Sequence, residues 1–333
     1  MHEYMEPSRR LPVQTFDVVV CGGGTAGVVA AIASARQGAR TALIESKGYV
    51  GGIVVEGGTA LHSFYNLYKP YPDVEKKQIV KGIPQEIIDN LVKIGGSTGH
   101  VEMLSRYDYD SVCTAIDTEL YKLVAFDMLT EAGVCLCMNT LVVGAVMEEG
   151  YAPGSDRANE NVAGIAEHGR RIRGVITESR SGRELFEAKS FIDCTGYGDL
   201  SAFAGAAFTE PNDHPVANSM GVGGVSIDDY CAFMRAHGAV TDYSEGIRSG
   251  KDGQVVRVDC DPRKLPPEIA REAQEIGMAF VTTTVHDNYL MFIKLNYKTP
   301  ESPTSRDQAS LAEVALRHRQ MKAIAFFRKH IPG

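Results

Sequence analysis

Three glycines, Gly22, Gly24 and Gly27, stand in G-x-G-x-x-G spacing directly after the apolar run at residues 17–21, within F-D-V-V-V-C-G-G-G-T-A-G. The first glycine of such a pattern makes a tight turn. The second lets backbone approach a pyrophosphate, and the third lets helix and strand pack closely. A small-residue helix is expected at 28–37, and its positive end would face the phosphates. A second apolar run, 41–44, ends on Glu45, which follows Gly22 by roughly the twenty residues typical of an acid that accepts ribose hydroxyls. Strand, glycine turn, helix, strand and acid together predict dinucleotide binding. The competing reading is a purely structural turn, since glycine-rich turns are common in α/β proteins.

Side chains able to move a proton are harder to single out. His62, in T-A-L-H-S-F-Y-N, follows a Gly57-Gly58 loop, and His286 lies in T-V-H-D-N between two expected strands. Either imidazole could act as a general base, although a surface or structural histidine is the commoner role. Tyr65, Tyr68 and Tyr71 could line a pocket or simply pack a Tyr/Pro loop onto the body. Arg170, Arg171 and Arg173 could meet a phosphate, with a solvated hairpin edge as the plainer reading. The seven cysteines show no C-x-x-C pair. Cys21, Cys135, Cys137 and Cys194 fall in apolar runs, where cysteine behaves as a small hydrophobe. No metal site is expected, and no Ser/His/Asp or zinc-ligand spacing stands out.

Composition bounds the function class. The chain has 333 residues, 44% hydrophobic and 23% charged, with a net charge of −8. That acidic balance argues against nucleic acid as the main partner. No apolar run approaches the ~20 residues of a membrane helix. The N-terminal stretch carries Glu3 and Glu6 and lacks the apolar core of a secretory signal. A cytoplasmic protein with reduced thiols is expected.

The elements that would position these residues form an α/β pattern: a Rossmann-like domain with a parallel central sheet and a β-meander, plus an inserted mixed α+β substrate domain. Helices are expected at 78–94, 110–132 and 310–330, the last with Leu311, Val314, Ala315, Met321, Ile324 and Ala325 on its apolar side. Strands are expected at 134–138, 140–146, 278–285 and 289–296, with a hairpin at 171–178 and 184–188 followed by a run at 190–193. The organisation reads as an arm (1–15), a discontinuous nucleotide domain (16–65 and 110–210), a substrate or cap region (66–109 and 211–309) and a terminal helix (310–333). The chain leaves the nucleotide fold after its second strand, and F-I-D-C ends in Thr195-Gly196. Both features favour FAD over a plain nicotinamide nucleotide.

Five pieces carry a family resemblance: D-V-V-V-C-G-G-G-T-A-G, E-S-K-G-Y-V-G-G, K-G-I-P-Q-E-I-I-D-N-L, E-A-G-V-C-L-C-M-N-T-L-V and F-I-D-C-T-G-Y-G-D-L-S-A-F-A-G-A. Together they resemble the FAD-dependent oxidoreductases that include heterodisulfide-reductase-subunit-A-like flavoproteins, of glutathione-reductase-type two-dinucleotide fold. The resemblance implies that Gly22, Gly24, Thr25, Ala26 and Gly27 cradle the FAD pyrophosphate and that Glu45 holds the adenosine ribose. It places Ser46 and Lys47 at the adenosine, Gly51, Gly52 and Ile53 beside pyrophosphate and ribityl, Val142 at the adenine, and Thr195 and Gly196 over the nucleotide. Ser46 stands where the family usually has Arg, and Tyr197 where it usually has Asp. The family continues into a C-terminal strand and helix that complete the flavin site, so the chain reads as a member lacking its last part. The implied activity is hydride transfer between a small organic substrate and flavin N5, with the electron acceptor open and a homo-oligomer possible. Two alternatives stand beside it: an electron-transfer subunit working with an iron–sulfur partner, and a non-catalytic dinucleotide-binding module.

Overall fold

A computed structural model describes residues 7–56, 78–102, 112–148, 171–248, 251–284 and 289–333. In chain order the elements are β1 (Val13–Cys21), α1 (Thr25–Arg36), β2 (Thr41–Ile44), α2 (Ile53–Glu56), α3 (Ile83–Lys93), β3 (Val101–Glu102), β4 (Val112–Cys113), α4 (Thr118–Glu131), β5 (Cys135–Cys137), β6 (Leu141–Glu148), β7 (Arg171–Ser179) and β8 (Gly182–Asp193). There follow α5 (Asp199–Phe203), β9 (Val216–Gly223), α6 (Ile227–Ala236), β10 (Val240–Arg248), β11 (Lys251–Cys260), α7 (Pro267–Ile276), β12 (Met278–Thr283), β13 (Tyr289–Tyr297) and α8 (Arg306–His330). The chain divides into two compact units, Met1–Val50 with Phe126–Phe208 and Gly51–Ala125 with Thr209–Gly333. The joins expected from sequence lay at 65, 109 and 210.

The first unit is a six-stranded sheet in the order β5-β2-β1-β8-β7-β6. The β5, β2, β1 and β8 strands run parallel, and β8, β7 and β6 form an antiparallel meander. In β1 the consecutive residues Val19, Val20 and Cys21 are all buried, the mark of a parallel strand covered on both faces. Small residues let α1 lie close to the sheet, and Gly27, Val28, Ala31 and Ile32 form its buried side. Phe16, Ile44, Val175, Phe186 and Leu200 fill the core on one face, with the Phe16 and Phe186 rings stacked 5.9 Å apart.

The second unit carries a five-stranded antiparallel sheet in the order β10-β11-β12-β13-β9. Its core joins the sheet to α6, α7 and α8 through Tyr230, Met234, Ile276, Phe280, Leu295, Leu316 and Phe326. The chain is therefore a mixed α/β protein containing a parallel sheet of Rossmann-like pattern.

Four local expectations need correction. The hairpin arm at 184–188 and the run at 190–193 are one 12-residue strand, β8, which pairs antiparallel with β7 and parallel with β1. The helix expected from residue 110 begins at Thr118, because Val112 and Cys113 pair with β3 instead. The buried line of α8 is Ala312, Leu316, Ala323 and Phe326, while Leu311, Val314 and Met321 are 42%, 59% and 66% exposed. Apolar residues occur all round this helix. The alanines let it approach the sheet closely, and Phe326 packs edge-on to Phe280 at 6.0 Å. Cys135 is exposed rather than a core thiol.

Candidate nucleotide site

The β1 strand delivers the chain into the glycine turn at Gly22, whose φ is +99°, a region open to glycine. The Gly22 N–H donates to the Ile44 carbonyl at 2.8 Å, and the Cys194 N–H donates to the Cys21 carbonyl at 2.8 Å. The turn is thus held between the ends of β2 and β8. A Cβ on Gly22 would lie 2.2 Å from the Cys194 oxygen, and one on Gly27 would lie 1.8 Å from the Gly22 oxygen. Both glycines are required by packing. Gly24 differs: its φ of −66° and ψ of −175° form extended backbone that any residue adopts.

Gly24 is also the N-cap of α1. It supplies no side-chain cap, and the first turn of the helix carries no acid. Ala26 is exposed and Thr25 half-buried at this end. A helix start without a capping oxygen or a competing negative charge is suited to an anion, because backbone donors and the helix dipole both favour one. The residues present therefore fit a dinucleotide pyrophosphate.

Glu45 follows β2 and is clamped in place. Its Oε2 accepts the Gly23 N–H at 2.6 Å, and Oε1 accepts the Ser46 hydroxyl at 2.9 Å and the Lys47 N–H at 2.8 Å. A carboxylate offers about four lone-pair sites, so about one remains for a further donor. The exposed Ser46 and Lys47 thus act on Glu45 through hydrogen bonds from the protein itself. The backbone also draws β6 to this point. Thr140 N–H donates to the Glu45 carbonyl at 2.9 Å, and Asn139 N–H donates to the Lys47 carbonyl at 3.0 Å. Val142 lies two residues on, beside an irregularity in the β6–β7 ladder.

At the end of β8, Thr195 Oγ1 donates to Asp193 Oδ1 at 2.8 Å and accepts the Asp199 N–H at 2.8 Å. Asp193 Oδ2 takes the N–H and hydroxyl of Ser201 at 2.8 and 2.7 Å. Burial would raise the Asp193 pKa, but these bonds from Ser201 and Thr195 outweigh it and hold the carboxyl below its ordinary value. Gly196 and Gly198 take positive φ of +88° and +77° in the turn they enclose. Asp193 and Ser201 were not singled out from sequence. The signal was an acid two residues before the threonine, D-C-T-G.

The structure brings Gly22, Gly24, Thr25, Ala26, Gly27, Glu45, Ser46, Lys47, Val142, Thr195 and Gly196 into the first unit. Gly51, Gly52 and Ile53 fall in the second, where the Gly52 carbonyl accepts the Val55 and Glu56 N–H groups and Ile53 is exposed. His62 and His286 lie outside the described residues, as do Tyr65, Tyr68, Tyr71 and Arg170. Arg173 pairs with Glu187 across the β7–β8 ladder at 2.8 Å, a surface contact. Among the described residues, no group of three or more His, Cys, Asp or Glu is arranged to hold a metal ion. Nor is any described helix long and apolar enough to cross a membrane.

The family model described as FAD dependent oxidoreductase matches residues 17–333. A 94-residue stretch is 33% identical to the 3-oxosteroid 1-dehydrogenase of Mycolicibacterium smegmatis, covering 28% of this chain and 16% of that protein. The enzyme of the same name from Mycobacterium tuberculosis is 32% identical over 97 residues, with 29% and 16% covered. Among solved structures, the p-nitrophenol 4-monooxygenase PnpA from Pseudomonas putida DLL-E4 superposes with a TM-score of 0.51 at 12% identity. That superposition takes in 96% of this chain and 63% of the monooxygenase, and at such identity it shows the fold alone.

Proposed function

Because the chain belongs to the FAD dependent oxidoreductase family, we propose that it transfers a hydride between a small organic substrate and flavin N5. FAD is the cofactor of the family. The observation that carries the site assignment is the uncapped, acid-free start of α1 beside a Glu45 carboxylate already fixed by the Gly23 N–H. In this reading the turn at 22–27 holds the pyrophosphate, and Glu45 turns its remaining lone pair to a ribose hydroxyl. Val142 lies along the adenine, and Thr195-Gly196 closes the nucleotide. Gly51, Gly52 and Ile53 serve the ribityl side.

The chemistry supplied by bound FAD is two-electron hydride acceptance and donation. The chain's own task is to orient the nucleotide and to take or give a proton at the substrate. His62 and His286 are the proposed proton carriers, and the second unit is the proposed substrate region of a soluble, cytoplasmic enzyme.

A finer placement, resting on the sequence pieces that include E-S-K-G-Y-V-G-G, is among heterodisulfide-reductase-subunit-A-like flavoproteins, where electrons pass to an iron–sulfur partner. Anaerobic mixing of the FAD-loaded chain with candidate organic hydride donors tests the proposal through loss of the flavin's visible absorbance. His62→Gln and His286→Gln would slow that loss while leaving bound flavin unchanged if either imidazole carries the proton. Reduction by low-potential iron–sulfur donors alone, with every organic donor inert, would replace hydride transfer by the electron-transfer reading.

A further inference from the structure

Cys135 and Cys137 occupy β5, the edge strand of the first sheet, in C-L-C. Residues two apart in a strand point to the same face, so the two thiols stand side by side along the sheet edge. Cys135 is exposed and Cys137 only partly so, which lets a small reagent reach the first thiol before the second. The neighbouring Cys137 side chain is the main influence lowering the Cys135 pKa, and the Arg40 guanidinium, seated 4.9 Å from the Phe16 ring centre, adds to it. The Cys135 side chain, with burial behind it, pushes Cys137 upward. The exposed thiol of the pair is therefore the one a small reagent meets first, with a second thiol next to it on the same strand face.

The other thiols of the chain are built differently. Cys21, Cys231 and Cys260 are buried, and burial pushes them up to about 12, about 11 and about 12. Burial raises Cys194 as well.

We infer that Cys135 and Cys137 form a hydroperoxide-reactive dithiol, with Cys135 the attacking sulfur and Cys137 the resolving one. In the first step the Cys135 thiolate attacks hydrogen peroxide. The O–O bond breaks, an S–O bond forms, and hydroxide leaves, so that sulfur is oxidised by two electrons and peroxide reduced. In the second step the Cys137 sulfur attacks the Cys135 sulfenic acid. The S–S bond forms, the S–O bond breaks, and the oxygen leaves as water with the Cys137 proton.

Alternate residues of a strand lie about 6.6 Å apart at Cα, near the upper limit a disulfide spans. Among the described residues this three-residue strand pairs only with β2, which leaves its outer side free to bend toward that distance. A bond closed under such strain is readily reduced by thiols.

The test treats the full chain with hydrogen peroxide, blocks remaining thiols with iodoacetamide, and reads the digest by mass spectrometry. The expected product is a peptide in which residues 135 and 137 have lost two hydrogens and take no alkyl group, restored by dithiothreitol. In Cys137→Ala, dimedone should tag Cys135, and the midpoint of Cys135 alkylation with pH should rise toward the ordinary thiol value of about 8.5. Two results overturn the inference. One is conversion of Cys135 to sulfinic or sulfonic acid while Cys137 stays alkylatable. The other is oxidation of Cys135 no faster than that of free cysteine.

Discussion

The Glu45 carboxylate accepts the Gly23 N–H at 2.6 Å, so the acid after β2 and the glycine turn after β1 are one hydrogen-bonded unit. Binding energy from either half depends on the other being in place. Substitutions around this contact separate the residues that build the turn from those that meet a ligand.

Glu45→Gln keeps the shape of the side chain but replaces acceptors with a donor facing either the Gly23 N–H or the Ser46 and Lys47 groups. Hydrogen bonds to a charged group contribute about 1.5–3 kcal/mol, so ADP and FAD affinity should fall about 10- to 150-fold. Titration calorimetry with ADP measures this. A change below about twofold would mean that the carboxylate serves the turn and not the nucleotide.

Gly24 and Gly27 should part company. Gly24→Val should leave the melting temperature nearly unchanged and remove bound flavin, because the Gly24 backbone is open to any residue. Gly27→Ala should cost roughly 3 kcal/mol of stability, since its Cβ would fall 1.8 Å from the Gly22 oxygen. Thermal melts paired with flavin content distinguish the two. Equal loss of stability in both variants would contradict the division.

Much of this was legible in sequence because it is local. The apolar run, the glycine spacing and the acid after β2 all lie within thirty or so residues, and each element forms for a reason its own composition states. The reason for Gly22 was not legible in full, because the atom that forbids a side chain there belongs to Cys194 on β8. Asp193 was missed for the same kind of reason: two of its partners come from Ser201, a turn and part of a helix later. The buried face of α8 was misread because its buried alanines carry less hydrophobic signal than its exposed Leu311 and Met321. Cys135 reads as a core residue until β5 is known to be an edge.

Asp193 makes a prediction with a sign. Its folded pKa is depressed, so its ionised form adds stability above the unfolded value of about 3.9, and that stability is lost as pH falls through the lower folded value. Asp193→Asn should cost roughly 1–2 kcal/mol at pH 7, after allowance for solvent screening of a partly exposed group, and less in strong acid. Urea unfolding of both proteins at the two pH values checks this. A cost independent of pH would assign the effect to shape rather than charge.

In the second unit, Arg257 Nε and Nη2 bond Asp259 at 3.0 and 2.8 Å, and the two side chains are only 5% and 18% exposed. Arg257→Met leaves a partly buried carboxylate without this partner and should cost about 2–3 kcal/mol, below the full penalty for a buried charge, whereas Arg257→Met with Asp259→Leu should recover most of it. Denaturant midpoints for the single and double variants measure the difference. A double variant no more stable than the single would show that packing, and not charge, sets the loss.

The central claim is that the turn at 22–27 and Glu45 form the adenosine and pyrophosphate half of an FAD site. Its most direct test is a titration of the flavin-free chain with FAD, followed by fluorescence, and then a challenge with ADP. Saturable binding of one FAD per chain, displaced by ADP and abolished by Gly24→Val in a folded protein, is the predicted result. Flavin fluorescence that stays unchanged on titration, or bound FAD that ADP does not displace, would contradict it.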